Sequence, residues 1–123
     1  MESFMKQENA VADKSKLFAL RIIKLYKYLC AEKNEFTLSK QLLRSGTSIG
    51  ANVKEALRGQ SKSDFYAKLN IALKEASETE YWLELLSESD YIETKHFHSI
   101  YDDCQELIRL LVAITKTQKE ECL

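Results

Sequence analysis

A pentapeptide with the spacing of a hydrolase nucleophile elbow, GTSIG, occupies residues 46–50. In a true G-x-S-x-G elbow the serine sits on a sharp turn between a strand and a helix. Here the flanking residues repeat apolar positions at helical spacing, and the only histidines that could serve as a base are His96 and His98. The motif is therefore not read as a catalytic site, and we expect a protein that is not an enzyme.

The two glycines of the same segment, Gly46 and Gly50, are one helical turn apart. Paired small residues at this spacing let a neighbouring helix approach closely. Glycine inside a helix costs about 1 kcal/mol relative to alanine, so tight packing should compensate for that cost. We predict that both glycines face another helix.

The residues that could bind a metal do not form a convincing ligand set. His96 and His98 are two apart, whereas metal-binding histidine pairs on a helix are usually four apart. Glu93 and His96 have the E-x-x-H spacing of di-iron bundles, but those sites need a second such motif on another helix. We expect neither a metal nor another cofactor, and we interpret the acidic cluster as solvated or intersubunit charge: Glu75, Glu78, Glu80, Glu84.

Positive charge collects on one side of the second predicted helix. On a helical wheel of about 100° per residue, two lysines and two arginines lie opposite its apolar side, and two further lysines extend the stripe: Lys40, Arg44, Lys54, Arg58, Lys62, Lys68. Such a stripe favours contact with the phosphates of RNA or another nucleic acid. The alternative is an ordinary solvated face, since no aromatic stacking residues are interleaved with it.

The net charge of −1 hides a strong asymmetry between the two halves of the chain. Residues 14–74 carry a net charge of +9, and residues 75–123 carry −8. Such segregation indicates a charged partner or a self-complementary assembly.

The positions of these residues depend on four predicted helices, at about residues 14–33, 39–58, 64–87 and 94–117. The chain has no proline and only three glycines, which favours long uninterrupted helices. Asp13 or Ser15 could cap the first helix, and residues 1–12 are then either disordered or an extension of it. Similar helix lengths and short loops predict an all-α fold, an antiparallel up-down-up-down four-helix bundle in a single domain.

The cysteines and the hydropathy pattern indicate a cellular location. Cys30, Cys104 and Cys122 are odd in number and far apart, which fits a reducing cytoplasmic compartment. Residues 1–10 lack the apolar core of a signal peptide. No run approaches the roughly 18 apolar residues of a membrane span, so we expect no membrane association.

Two helices have more apolar residues than a bundle core requires. The third carries a second stripe of Ile71, Trp82 and Leu85, with Glu78 within it. The first carries surplus apolar residues at Leu17, Leu20 and Tyr28. Exposed apolar patches that include tryptophan are typical of interfaces, so these seven residues predict self-association.

The segment FTLSKQLLRSGTSIGANVKEA, residues 36–56, resembles the signature L..Q..R...SI.AN..EA of a family of four-helix-bundle proteins encoded in intervening sequences of bacterial 23S rRNA genes. Residues 61–86 also match that family's pattern, and the resemblance spans roughly residues 14–118. It implies a homopentameric ring, an assembly shared with a related accessory protein of diversity-generating retroelements that works with nucleic acid. It implies no catalytic residues.

Taken together, these features predict a non-catalytic, homo-oligomeric bundle that contacts RNA through the basic side of its second helix. Two alternatives stay open. One is a protein-interaction scaffold that does not bind nucleic acid, in which the two charged halves serve assembly alone. The other is a bundle that binds a small molecule in a ring pore or a pocket.

Overall fold

The chain forms four consecutive α-helices. The computed structural model describes the backbone of residues 2–121 and the side chains of residues 6–118. The helices are α1 (Glu2–Lys33), α2 (Leu38–Leu57), α3 (Lys62–Glu88) and α4 (Thr94–Glu121), and no strand occurs within residues 2–121. The predicted all-α four-helix bundle is confirmed.

Each helix packs against its two neighbours in the order α1, α2, α3, α4 and back to α1. Across every seam the residue numbers of contacting partners rise on one helix and fall on the other, so neighbouring helices are antiparallel. The α1–α2 seam contains the pairs Gly46–Ile22 and Gly50–Ser15, and the α2–α3 seam contains Ser45–Thr79 and Glu55–Lys68. The α3–α4 seam contains Glu84–Tyr101 and Asn70–Gln118, and the α1–α4 seam contains Arg21–Asp103 and Lys14–Glu106.

The first helix begins at Glu2, twelve residues before the predicted start near residue 14. Residues 2–13 therefore continue the helix, and Asp13 and Ser15 do not cap it. The Ser15 hydroxyl donates to the Ala12 carbonyl at 3.1 Å within the helix. Val11, which is 1% exposed, adds a turn to the core stripe. Because packing of an apolar side stabilises a helix, burial of this valine favours continuation of the helix beyond Asp13 and Ser15 towards the N-terminus.

The connection between α1 and α2 is organised by Glu35. Asn34 has a left-handed backbone (φ 52°), and the Glu35 N–H donates to the Leu29 carbonyl at 3.0 Å, which closes the end of α1. The Glu35 carboxylate then accepts the Ser39 N–H at 2.8 Å, while the Ser39 hydroxyl donates to the Glu35 carbonyl at 2.7 Å. Glu35 thus satisfies a backbone donor in the first turn of α2 that would otherwise lack a partner.

The core is a single cluster of buried apolar side chains from all four helices, with polar pairs embedded in it. The buried apolar residues of α3 include Leu69, Ala72, Ala76, Leu83 and Leu86. Phe65 is only partly buried, and Tyr66 is buried beside it. Thr79 and Ser45, both 0% exposed, hydrogen-bond to each other at 2.9 Å between α3 and α2. This bond satisfies two hydroxyls that would be costly to bury alone.

Trp82 does not lie outside the core, contrary to the prediction. It is partly buried and packs against the core cluster. It follows Glu78 by one helical turn, and Glu78 contacts Arg44 of α2, so the indole lies on the side of α3 that faces α2. Its Nε1 is buried and has no hydrogen-bond partner among the described residues. The indole therefore stabilises the α2–α3 seam.

The glycine prediction is confirmed by the contact between α1 and α2. A Cβ atom at Gly46 would lie 2.8 Å from both Cγ1 and Cγ2 of Ile22, a fully buried side chain. A Cβ at Gly50 would lie 3.3 Å from the Ser15 carbonyl oxygen. These glycines let α2 lie directly against α1, and Gly46 leaves no room even for alanine without moving Ile22.

We predict that replacing both Gly46 and Gly50 with leucine lowers the free energy of unfolding by about 1–3 kcal/mol per site, because overpacking forces the two helices apart. Thermal and urea unfolding followed by circular dichroism measure the effect. Ala51→Leu is the control, since Ala51 lies on the exposed side of the same helix. Equal stability of the double variant and the control would contradict the packing role.

We also predict that Trp82→Glu destabilises the fold, because it places a carboxylate where an indole contacts the core, at a cost of about 2 kcal/mol or more. Tyr81→Glu adds the same charge at the adjacent residue, which is 53% exposed, and should leave the melting temperature nearly unchanged. If the two variants melt alike, Trp82 contributes nothing to the α2–α3 seam.

Candidate functional site

The predicted basic stripe is interrupted at Arg44, which forms ion pairs within its own chain. Its guanidinium donates from Nη1 to Glu75 at 3.2 Å and from Nη2 to Glu78 at 2.5 Å, both on α3. The hydrogen bond that Arg44 donates to Glu78 is the main cause of its raised pKa. A phosphate approaching Arg44 would have to compete with two carboxylates already in place.

Two other members of the stripe lie on or beside α3 and are also engaged. Lys68 lies 3.5 Å from the Glu55 carboxylate of α2. Lys62 begins α3, and it is exposed but takes part in an interaction. Lys40, Lys54 and Arg58 are exposed and form no ion pair with any residue that the structure describes. Arg44 and Lys68 are therefore engaged across the α2–α3 seam, whereas Lys40, Lys54 and Arg58 form an outward set on α2.

The outward set extends onto α1, which the sequence wheel of a single helix could not show. Lys54 and Lys16 of α1 both line a shallow groove of about 460 Å³ along the α1–α2 seam. Small residues at the glycine contact, including Ala12 and Gly50, form part of its lining. We call Lys16, Lys40, Lys54 and Arg58 the basic face. Lys16 was absent from the predicted site because only the packing of α1 against α2 brings it beside Lys54.

The predicted interface residues do not all lie on the surface. Leu17, Leu20 and Tyr28 are 62%, 55% and 39% exposed, and we call them the α1 outer face. On α3, Ile71 is 42% exposed and Leu85 is half-buried. Glu78 forms an ion pair with Arg44, and Trp82 packs against the core cluster. The apolar surface that is open to a partner is therefore stronger on α1 than on α3.

The charge asymmetry of the sequence has an intramolecular use. Basic residues of α1 meet acidic residues of α4: Lys14 Nζ lies 2.7 Å from Glu106, and Arg21 Nη1 lies 2.5 Å from Asp103. Arg44 bridges α2 to α3 in the same sense. A basic first half and an acidic second half thus supply cross-helix ion pairs, and only the remaining charges are available to a partner.

The motifs considered for chemistry lie apart from one another. Ser48 is inside α2, and its hydroxyl donates to the Arg44 carbonyl at 2.6 Å. His96, in the first turn of α4, is exposed and lies 3.9 Å from Glu93. Within the described part of the chain, no group of three or more histidine, cysteine, aspartate or glutamate side chains could hold a metal ion. The same residues include no helix that is long and apolar enough to cross a membrane.

The Cys104 side chain is a poor nucleophile. Burial, with a smaller contribution from Glu80, raises the pKa of the Cys104 thiol to about 12, and its Sγ donates to the Ala76 carbonyl at 3.4 Å. A thiol with this pKa carries almost no thiolate at neutral pH. Cys30 is half-buried, and Cys122 lies outside the described residues.

A second groove, of about 530 Å³, opens between α1 and the start of α4. Its apolar lining comes from Leu25, Tyr28, Ile92 and Ile100, and its polar lining comes from Arg21, Lys24, Glu93 and His96. Ile92 and Ile100 are 6% and 4% exposed, so the groove reaches the edge of the core.

The comparisons with known proteins agree with this architecture. A crystal structure at 1.70 Å resolution of a protein of unknown function from the S23 ribosomal protein family of Bacteroides thetaiotaomicron VPI-5482 is similar to the chain, with 57% sequence identity and a TM-score of 0.88. The match covers 89% of this chain and 98% of that one. No curated protein matches the chain significantly. The family model for the 23S rRNA-intervening sequence protein matches residues 7–113, and the chain therefore belongs to that family.

Proposed function

We propose that this protein is a non-catalytic, self-assembling bundle of the bacterial cytoplasm, and that a homopentameric ring is its working form. The observation that carries the proposal is the α1 outer face, where Leu17, Leu20 and Tyr28 are exposed along one side of a helix. Burying one such side chain is worth about 1.5–3 kcal/mol, so an unpartnered row is a strong driving force for association.

The charges around this face favour contact between two different surfaces. Lys24 and Lys27 are exposed beside the α1 outer face and form no ion pair with a described residue. On the far side of the bundle, the carboxylates of Glu80 and Glu84 on α3 lie near Tyr101 of α4, and the hydrogen bond that the Tyr101 hydroxyl donates to Glu84 is the main cause of its raised pKa. A basic, apolar surface can meet an acidic one on the next subunit, and opposite charges would set the register.

A contact between unlike surfaces is heterologous, and it closes into a ring when the rotation between subunits allows. The family resemblance favours five subunits. Of the α3 residues predicted at the interface, Ile71 and Leu85 remain accessible to the opposing surface. Trp82 supports that surface from below and is not itself the exposed anchor.

We further propose a second function for the protein, in which RNA or another nucleic acid binds at the basic face. The supporting observation is that Lys16, Lys40, Lys54 and Arg58 are exposed, come from two adjacent helices and form no ion pair with a described residue. Ammonium and guanidinium groups placed in this way can displace counterions from phosphates without reading sequence. A scaffold that binds only protein would leave the basic face unused.

The assembly proposal predicts that Leu20→Glu dissociates the oligomer while the helical content is retained. Loss of one buried anchor and addition of a charge should weaken association by at least about 2 kcal/mol, roughly thirtyfold in the dissociation constant. Sedimentation velocity at micromolar concentration, with circular dichroism on the same samples, measures both properties.

Val112→Glu is the matched control, since Val112 is 46% exposed on α4 and lies outside the proposed interface. It should leave the sedimentation coefficient unchanged. A monomeric parent protein would refute self-assembly, a dimer would refute the ring, and equal dissociation by both variants would place the interface elsewhere.

The nucleic-acid proposal predicts weak, sequence-independent binding to single-stranded RNA that falls steeply with salt, because counterions are released on binding. The double variant Lys54→Glu and Arg58→Glu should abolish it in fluorescence anisotropy at low salt. Lys95→Glu with Lys116→Glu makes the same change in net charge on α4, and it should bind nearly as well as the parent. Absence of binding by the parent, or equal loss in both double variants, would rule out the basic face.

A further inference from the structure

The groove between α1 and α4 has the features of a small-ligand site, and of its lining only Lys24 and Tyr28 also take part in the assembly proposal. Its volume of about 530 Å³ is within the range of about 300–1,000 Å³ that is common for ligand pockets. Such pockets combine an apolar lining with a few fixed polar groups. Leu25, Ile92 and Ile100 provide the apolar lining at the edge of the core.

Arg21 is the fixed polar group of this groove. Its Nη1 donates to the Ser99 carbonyl at 3.4 Å and to Asp103 at 2.5 Å, and its Nη2 donates to the Ser99 hydroxyl at 3.1 Å. These bonds hold the guanidinium in one orientation and leave its Nε–H without a partner among the described residues. An arginine oriented in this way can hydrogen-bond a carboxylate with little further loss of side-chain freedom.

Lys24 adds a second cation three residues further along α1, on the same lining. It is exposed and forms no ion pair within the described part of the chain. The acid in the groove, Glu93, lies at the opposite wall beside His96, at 3.9 Å from it. Because the charge of Arg21 is balanced by Asp103, Lys24 is the uncompensated cation of the lining, and it lies on the α1 wall, while the negative charge of the lining, Glu93, is at the start of α4.

From these observations we propose that the α1–α4 groove binds a small amphipathic monoanion, with its carboxylate at Arg21 and Lys24 and its apolar chain against Leu25, Ile92 and Ile100. Tyr28, which is 39% exposed, covers one side of the ligand's apolar chain. The separation of the two charged walls orients the ligand, because a carboxylate at the α4 wall would face Glu93. A cationic amphiphile of the same length would lack a favourable position on the α1 wall.

Decanoate, below its micellar concentration, is the probe, and decyltrimethylammonium is the comparison of opposite charge. Isothermal titration should show one decanoate per chain, and amide chemical-shift changes should be confined to residues around 21–28 and 92–100. Lys24→Glu should weaken decanoate binding by about tenfold or more, because it reverses one of the two cations. Lys27→Glu makes the same change at an exposed position of α1 that does not line the groove, and it should bind like the parent.

Tyr28 belongs to both the groove and the α1 outer face, so sedimentation of each variant, with and without decanoate, separates ligand binding from assembly. If decanoate binding is localised and depends on Lys24, and decanoate leaves the sedimentation coefficient of the parent unchanged, the groove is supported even if the assembly proposal fails. The proposal is overturned by any of three results: no decanoate binding to the parent, equal affinity for decyltrimethylammonium, or equal weakening by Lys24→Glu and Lys27→Glu.

Discussion

The contact between α1 and α2 at Gly46 and Gly50 determines how the rest of the bundle is arranged. Because a Cβ at Gly46 would collide with Ile22, the two helices approach more closely there than ordinary side chains allow. Interaxial distance in helix pairs depends on the side chains at the contact. With α1 and α2 held together, α3 packs on the other side of α2, and α4 completes the bundle by packing between α3 and α1.

Polar groups then select one register for each seam. The Ser45–Thr79 bond is satisfied only when α2 and α3 are aligned as observed, because both hydroxyls are fully buried. Sliding either helix by one turn would break this interhelical bond and leave each hydroxyl with only the backbone carbonyl of its own helix, Glu75 for Thr79 and Leu42 for Ser45. Near the surface, the pairs of Arg44 with Glu75 and Glu78 reinforce the same alignment. Charges that the sequence suggests are for a partner, such as Arg44, thus partly serve to align the helices.

Helical periodicity was enough to predict the number of helices and their order, because apolar spacing reports directly on which side of a helix is buried. It was not enough for the start of α1, where Ser15 imitates a cap but bonds within the helix. Trp82 and Arg44 were misplaced for a related reason. A wheel shows the direction of a side chain on one helix, but the identity of its neighbour depends on how the helices pack. Lys16 joined the basic face for that same reason, as α1 and α2 are separate segments of sequence.

The seam between α1 and α4 joins the first and last helices, so no loop of the chain ties it together. Among the side chains that the structure describes, this seam has two ion pairs, Lys14–Glu106 and Arg21–Asp103, whose members are between 41% and 48% exposed. Pairs so exposed contribute at most about 1 kcal/mol each and are screened by salt. Local opening should therefore begin at this seam, with amide hydrogens of α1 and α4 exchanging faster as ionic strength rises. The α2–α3 seam, with its buried hydroxyl pair, would remain protected under the same conditions.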